Sequence, residues 1–116
     1  MKSKLNPDSK KKENADFFKN VFKIVAVIPK GKVTTYGEIA KALGLKSSAR
    51  MVGWALNSAA EDSSYPCHRV INRNGELTGK RHFKTPTLMR ELLENEGIEF
   101  IGDRVNLKKH IWIPNL

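Results

Sequence analysis

The stretch Thr35-Tyr36-Gly37-Glu38-Ile39-Ala40-Lys41-Ala42-Leu43-Gly44, followed by Leu45-Lys46-Ser47-Ser48-Ala49-Arg50-Met51-Val52-Gly53-Trp54-Ala55-Leu56-Asn57, decides the fold. Thr35 and Glu38 form a capping box: the threonine hydroxyl can accept the helix's third backbone N–H while the acid reaches back to the cap. Ile39, Ala40 and Leu43 then keep helical spacing, and Gly44 is placed to stop the run. Ser47 or Ser48 caps the next helix, in which Val52, Ala55, Leu56 and Ala59 form an apolar stripe while Arg50, Trp54 and Asn57 point elsewhere. Two short helices about a tight glycine-containing turn, the second with an arginine in its first turn, have the pattern of a helix-turn-helix. The same pattern serves as a plain helical hairpin in a core, so the rest of the chain has to decide.

Upstream, Gly31 to Thr34 reads as a short extended link. Before it, Phe17, Phe18, Val21, Phe22, Val25 and Ile28 recur at helical spacing, with Asn14 or Asp16 as cap and Pro29 as stop. Met1 to Glu13 is lysine-rich and nearly free of large apolar side chains, which predicts a disordered tail (1–13) before one domain (14–116). Downstream, Glu61 to Tyr65 is a polar loop, Val70-Ile71 a brief extended piece, and Asn72 to Gly75 a turn. Thr85 and Pro86 open another helix, with Leu88, Met89, Leu92 and Leu93 on its inner face and Gly97 just past its end. Glu96 falls in its last turn, where the helix dipole disfavours a carboxylate. Ile98 to Phe100 and Val105 to Leu107, split by Gly102 and Asp103, predict a hairpin lying as a wing beside the helices; Ile111, Trp112 and Ile113 predict a terminal clasp. The fold class expected is mainly α with a small β hairpin, a winged-helix-like helix-turn-helix domain.

The 116 residues suit one domain, and 40% hydrophobic content supports one core. A formal net charge of +9 makes the phosphate backbone of nucleic acid the leading partner. The solvated tail accounts for part of the excess, but Lys30, Lys32, Lys41, Lys46, Arg50, Arg69, Arg73, Lys80, Arg81 and Lys84 keep the middle of the chain basic. A single cysteine excludes an internal disulfide, and no Cys/His cluster has zinc spacing. No segment has the character of a signal peptide or a membrane span, so a soluble cytoplasmic protein is expected.

That cysteine lies in Pro66-Cys67-His68-Arg69-Val70. A thiol beside an imidazole can be drawn toward the nucleophilic thiolate if a third group holds the histidine. A lone cysteine also packs commonly as an inert hydrophobe, and adjacency in sequence does not bring two side chains together.

Four features, in order, resemble the DNA-binding, alkyl-accepting domain of the O6-alkylguanine-DNA alkyltransferases (methylated-DNA-protein-cysteine methyltransferases). They are Gly31-Lys32-Val33-Thr34-Thr35-Tyr36-Gly37-Glu38-Ile39-Ala40, Ala49-Arg50-Met51-Val52-Gly53, Pro66-Cys67-His68-Arg69-Val70-Ile71, and Leu92-Leu93-Glu94-Asn95-Glu96-Gly97. The family's separate N-terminal domain has no counterpart here. The resemblance implies a helix-turn-helix that enters the minor groove of double-stranded DNA containing O6-alkylguanine, with Gly53 on the recognition helix. Arg50 would fill the gap left by the everted guanine, and Tyr36 would crowd the 3′ phosphate. Extrusion has a physical basis, because the alkyl carbon is shielded inside a stacked duplex. It further implies that the Cys67 thiolate, with His68 relaying a proton toward Glu96, takes the alkyl group once and irreversibly, acting as a monomer and without metal or organic cofactor.

Two departures bear on this. Where the alkyltransferases usually carry a Gly-Tyr-Ser/Ala-Gly-Gly type loop, this chain reads Asn72-Arg73-Asn74-Gly75-Glu76-Leu77-Thr78-Gly79-Lys80-Arg81-His82-Phe83. That basic loop looks more like the alkyltransferase-like proteins, which bind alkylated DNA and mark it for nucleotide excision repair proteins without accepting the group, but which typically replace the cysteine. In that reading Arg69 and Arg81 serve mainly to hold DNA; Lys80 beside them is a further candidate DNA contact in either reading. Trp54 also stands where a small residue is common; it could be core, a stacking surface or an obstruction, and the family's asparagine after this helix has only Asn57 as a candidate, which falls early. A third reading, an ordinary helix-turn-helix regulator, explains neither Pro66 to Val70 nor Glu96.

Overall fold

A computed structural model of the chain describes residues 7–44, 47–58 and 64–115. Helix α1 spans Pro7–Ala26 and buries Val21, Ile24 and Val25, with Ile28 buried just beyond it. It begins well before Asn14, so the expected tail is helical from Pro7 onward; residues 1–6 lie outside the described part. Proline is favoured in a first helical turn, and the lysines and glutamate that follow are good helix formers, so a run without large apolar residues still propagates a helix nucleated downstream.

Helix α2 (Tyr36–Leu43) starts as expected: the Thr35 hydroxyl accepts the Glu38 N–H at 3.1 Å, and Gly44 follows at φ 110°. For α3 (Ala49–Asn57) the cap is Ser48, whose hydroxyl accepts the Met51 N–H at 3.2 Å. Ile39 and Ala40 of α2 and Val52, Ala55 and Leu56 of α3 close on α1 to form the first core cluster. Ala59, Leu45 and Lys46 lie outside the described residues.

A second cluster, Val33, Ile71, Met89, Leu93, Ile98 and Val105, sits under helix α4 (Leu88–Asn95) and the hairpin of β3 (Phe100–Ile101) and β4 (Arg104–Val105). The expected wing is present, but its second strand ends at Val105. Leu107–His110 form a short helix α5 instead. Helix α4 starts later than Thr85-Pro86 suggests. Thr87 is the residue before it, and its hydroxyl bonds the Glu91 carboxylate at 2.6 Å in place of a backbone N–H.

No signal in the sequence announces that β1 (Thr34–Thr35) pairs in parallel with β2 (Val70–Ile71), Thr34 opposite Val70 and Thr35 opposite Ile71. This pairing joins the two core clusters and brings the segment just before β2 beside the N-terminus of α2. The chain end returns along the same seam. Val33 bridges Ile111, and the Trp112 N–H donates to the Val33 carbonyl at 2.8 Å, which is the expected clasp. Buried His110 completes it: Nε2 accepts the Glu99 N–H at 2.9 Å, so the ring proton sits on Nδ1, 3.2 Å from the Gly31 carbonyl.

Candidate functional site

Cys67–Arg69 form one turn of 3-10 helix between Pro66 and β2. Two backbone bonds tighten it, Cys67 N–H to the Tyr65 carbonyl at 2.8 Å and Arg69 N–H to that of Pro66 at 3.0 Å. Cys67 is partly buried and in no disulfide. The turn sends His68 and Arg69 toward the far end of α4, where they meet Glu96. His68 Nε2 lies 2.9 Å from Glu96 Oε2; Arg69 Nε donates to Oε1 at 2.9 Å and a terminal Arg69 nitrogen donates to Oε2 at 2.7 Å. The other terminal nitrogen donates to the Ile28 carbonyl at 2.8 Å, just beyond α1.

The acid expected to be misplaced at a helix end is therefore held by a bidentate guanidinium and an imidazole, interactions strong enough to offset the helix dipole. Burial would push the Glu96 carboxyl up, but the hydrogen bonds from Arg69, then that from His68, and the charges of both hold it below the usual carboxylate range. Arg69, which the sequence suggests as a DNA contact, has its guanidinium turned onto Glu96 and the Ile28 carbonyl.

A cleft of about 330 Å³ opens between α3 and the loop after β2. Ala49, Arg50, Gly53 and Asn57 line it from α3, Tyr36 from the start of α2, and Thr78, Gly79, Arg81 and His82 from a 3-10 helix spanning Thr78–His82. Among the described residues two cations and a histidine line it, and no acid does. The loop is anchored at both sides. Asn72 Oδ1 accepts the N–H groups of Asn74 and Glu76, and the Val105 N–H of the wing donates to the Gly75 carbonyl at 2.9 Å. Gly75 has φ 83°, and a Cβ there would stand 2.8 Å from the Val105 oxygen. At the other side a Cβ on Gly79 would come within 3.2 Å of the Tyr36 hydroxyl, which bonds Thr78.

Tyr36 is the residue through which cleft and cysteine turn meet. Burial pushes its hydroxyl pKa up, the Thr78 hydrogen bond opposes this, and nearby Cys67 pushes it up further. Cys67 itself is not among the residues lining the cleft.

The expected site residues thus fall into two groups. Cys67, His68, Arg69 and Glu96 belong to the turn; Tyr36, Arg50, Gly53 and Arg81 line the cleft. Lys80 is exposed on the loop helix without lining the cleft. Trp54 is 55% exposed, which removes the core reading: the buried stripe of α3 is Val52, Ala55 and Leu56, and residue 54 lies off it. Asn57, thought to fall early, lines the cleft. Thr78, Gly79 and His82 also line the cleft, and of these only the glycine, a residue that permits close approach, carries a signal in the sequence. Among the described residues no three His, Cys, Asp or Glu side chains group to hold a metal, and no helix is long and apolar enough to cross a membrane.

Residues 16–98 match the family profile described as 6-O-methylguanine DNA methyltransferase, DNA binding domain. The chain belongs to this family. It is 36% identical over 104 residues to alkyltransferase-like protein 1 of Schizosaccharomyces pombe, covering 85% of this chain and 96% of that protein. It is 41% identical over 112 residues to the DNA base-flipping protein of Escherichia coli, covering 91% and 82%. A methylated-DNA–protein-cysteine methyltransferase of Methanosarcina acetivorans is 46% identical over 67 residues, covering 58% of this chain and 43% of that one. The S. pombe Atl1 crystal structure in complex with damaged DNA containing O6-carboxymethylguanine superposes with a TM-score of 0.72 at 37% identity, covering 86% of this chain and 97% of that chain. The expected fold, a mainly helical domain of this family with a small hairpin, is the observed one, with the parallel β1–β2 pair in addition.

Proposed function

We propose that this protein recognises O6-alkylguanine in double-stranded DNA by turning the damaged nucleotide out of the helix and holding it in the cleft between α3 and the basic loop. The observation that carries this reading is the cleft itself. At about 330 Å³ it lies in the range of sites for small-molecule-sized groups, roughly 300–1,000 Å³. It stands beside exposed Arg50, on the second helix of a helix-turn-helix. Arg50 fills the space the base leaves, which lowers the cost of unstacking; that cost is already least for a poorly paired alkylated guanine. Exposed Lys80 and cleft-lining Arg81 meet the phosphates. Relatives named as alkyltransferase-like and base-flipping proteins, aligned over most of their lengths, support recognition of the lesion; handing the bound lesion on to excision repair is the step this reading adds.

A second step, transfer to Cys67, is favoured by a specific observation: the cysteine is present, and the His68–Glu96 pair next to it is assembled at 2.9 Å. In that step a bond forms between Cys67 Sγ and the alkyl carbon, and the bond from that carbon to guanine O6 breaks with its electron pair. The thiol proton, relayed by His68, neutralises the departing purine. The thioether is stable, so one molecule would act once.

Both steps are read in one experiment. The protein is incubated with a duplex carrying a single O6-methylguanine; affinity is compared with that for the unmodified duplex, and the intact protein is weighed. Tighter binding to the damaged duplex supports recognition, and a mass gain of one methyl group, absent in Cys67→Ser, supports transfer. Equal affinities would refute the first reading. Tight binding with unchanged mass would refute the second alone.

A further inference from the structure

An indole more than half exposed, on a helix that already has a complete buried stripe, contributes nothing to the core. Gly53 and Trp54 stand three and four positions after Arg50, and Asn57 four and three after them, so the four form a second stripe along α3. Three of the four line the cleft. The fourth, Trp54, sits one turn after Arg50, and the Arg50 guanidinium carbon stands 5.2 Å from the indole ring centroid, within the range of a cation–π contact. Among the described residues Arg50 makes no salt bridge, and the ring is the group seen against its guanidinium.

We propose that Trp54 is the positioning residue for Arg50, holding the guanidinium over the indole at the edge of the cleft so that it is already ordered when the base leaves the duplex. This rests on the role proposed above for Arg50. A long, flexible side chain loses most of its rotamer freedom on entering a base stack. Restraint in the free protein moves that loss ahead of binding, and the damaged duplex, the one that opens, gains from it most.

The test separates ring chemistry from bulk. Trp54→Leu keeps an apolar side chain and removes the ring, whereas Trp54→Phe keeps a ring; at an exposed position neither should alter the thermal midpoint. Affinities of the full chain are measured for a duplex with one O6-methylguanine and for its unmodified counterpart. They are also measured in the Arg50→Ala and Arg50→Ala/Trp54→Leu proteins. We expect Trp54→Leu to reduce the preference for damage by roughly two- to fivefold, the value of an exposed cation–π contact. Trp54→Phe should retain most of the preference, and Trp54→Leu should have no further effect once Arg50 is alanine. Leu and Phe variants that behave alike, or an undiminished leucine effect in the Arg50→Ala background, would overturn the proposal while leaving damage recognition intact. A wild-type protein with no preference for damage would remove both.

Discussion

Glu96 is a side chain whose importance is legible from the amino-acid sequence alone. A carboxylate in the last turn of a helix opposes the dipole, and that conflict marked it. Its partners were less legible, because Arg69 stands 27 positions away and reads in sequence as one more basic residue. Since Arg69 ties α4 to the carbonyl of Ile28 through the same guanidinium, Arg69→Ala should lower stability by about 2 kcal/mol, the scale of lost charge-assisted hydrogen bonds, as measured by urea unfolding. It should weaken damaged-DNA binding less than Arg50→Ala does. The depressed Glu96 pKa gives a pH dependence of known sign. A carboxyl whose folded pKa lies below its unfolded one adds stability that is fully present above the ordinary carboxylate pKa and is lost as pH falls through the lower folded value. Unfolding midpoints of the wild type should therefore fall below about pH 4.3, and Glu96→Gln should show a shallower acid limb over that window.

At the scale of elements, the helices announced themselves through caps, and the small strands did not. Thr35 with Glu38, and a serine before Ala49, are local signals that the structure keeps; Ser48→Ala should cost about 1 kcal/mol of stability. The pairing of Thr34–Thr35 with Val70–Ile71 has no such signal, since two-residue strands carry no periodicity and their partners are distant in sequence. Yet this pairing sets the cysteine turn beside Tyr36. The start of α1 is hidden for the opposite reason: a polar lysine-rich run looks like solvated coil although its residues favour helix. The loop facing α3 was visible as a departure in sequence, but its anchoring was not. Gly75 combines a left-handed φ with a Cβ position 2.8 Å from the Val105 oxygen, so Gly75→Ala should destabilise the fold by about 2 kcal/mol or more and detach the loop from the wing. Thermal unfolding would register the first effect, and faster amide exchange across 72–83 the second.

Across the whole molecule, the charge of +9 and the two arginines lining the cleft give one expectation about binding. Phosphate contacts are shared by damaged and undamaged duplexes, so both affinities should fall with rising salt along parallel slopes, and Lys80→Ala should reduce each slope by about 1. What distinguishes the damaged duplex is eversion of one base into the cleft, with Arg50 taking its place. This can be observed directly with 2-aminopurine placed next to O6-methylguanine, because its emission rises when it loses its stacking neighbour. Addition of the wild-type protein should raise the emission of the lesion duplex well above that of the unmodified control, and Arg50→Ala should remove most of the rise. Saturating binding with no lesion-dependent increase in emission would contradict base flipping as the basis of recognition.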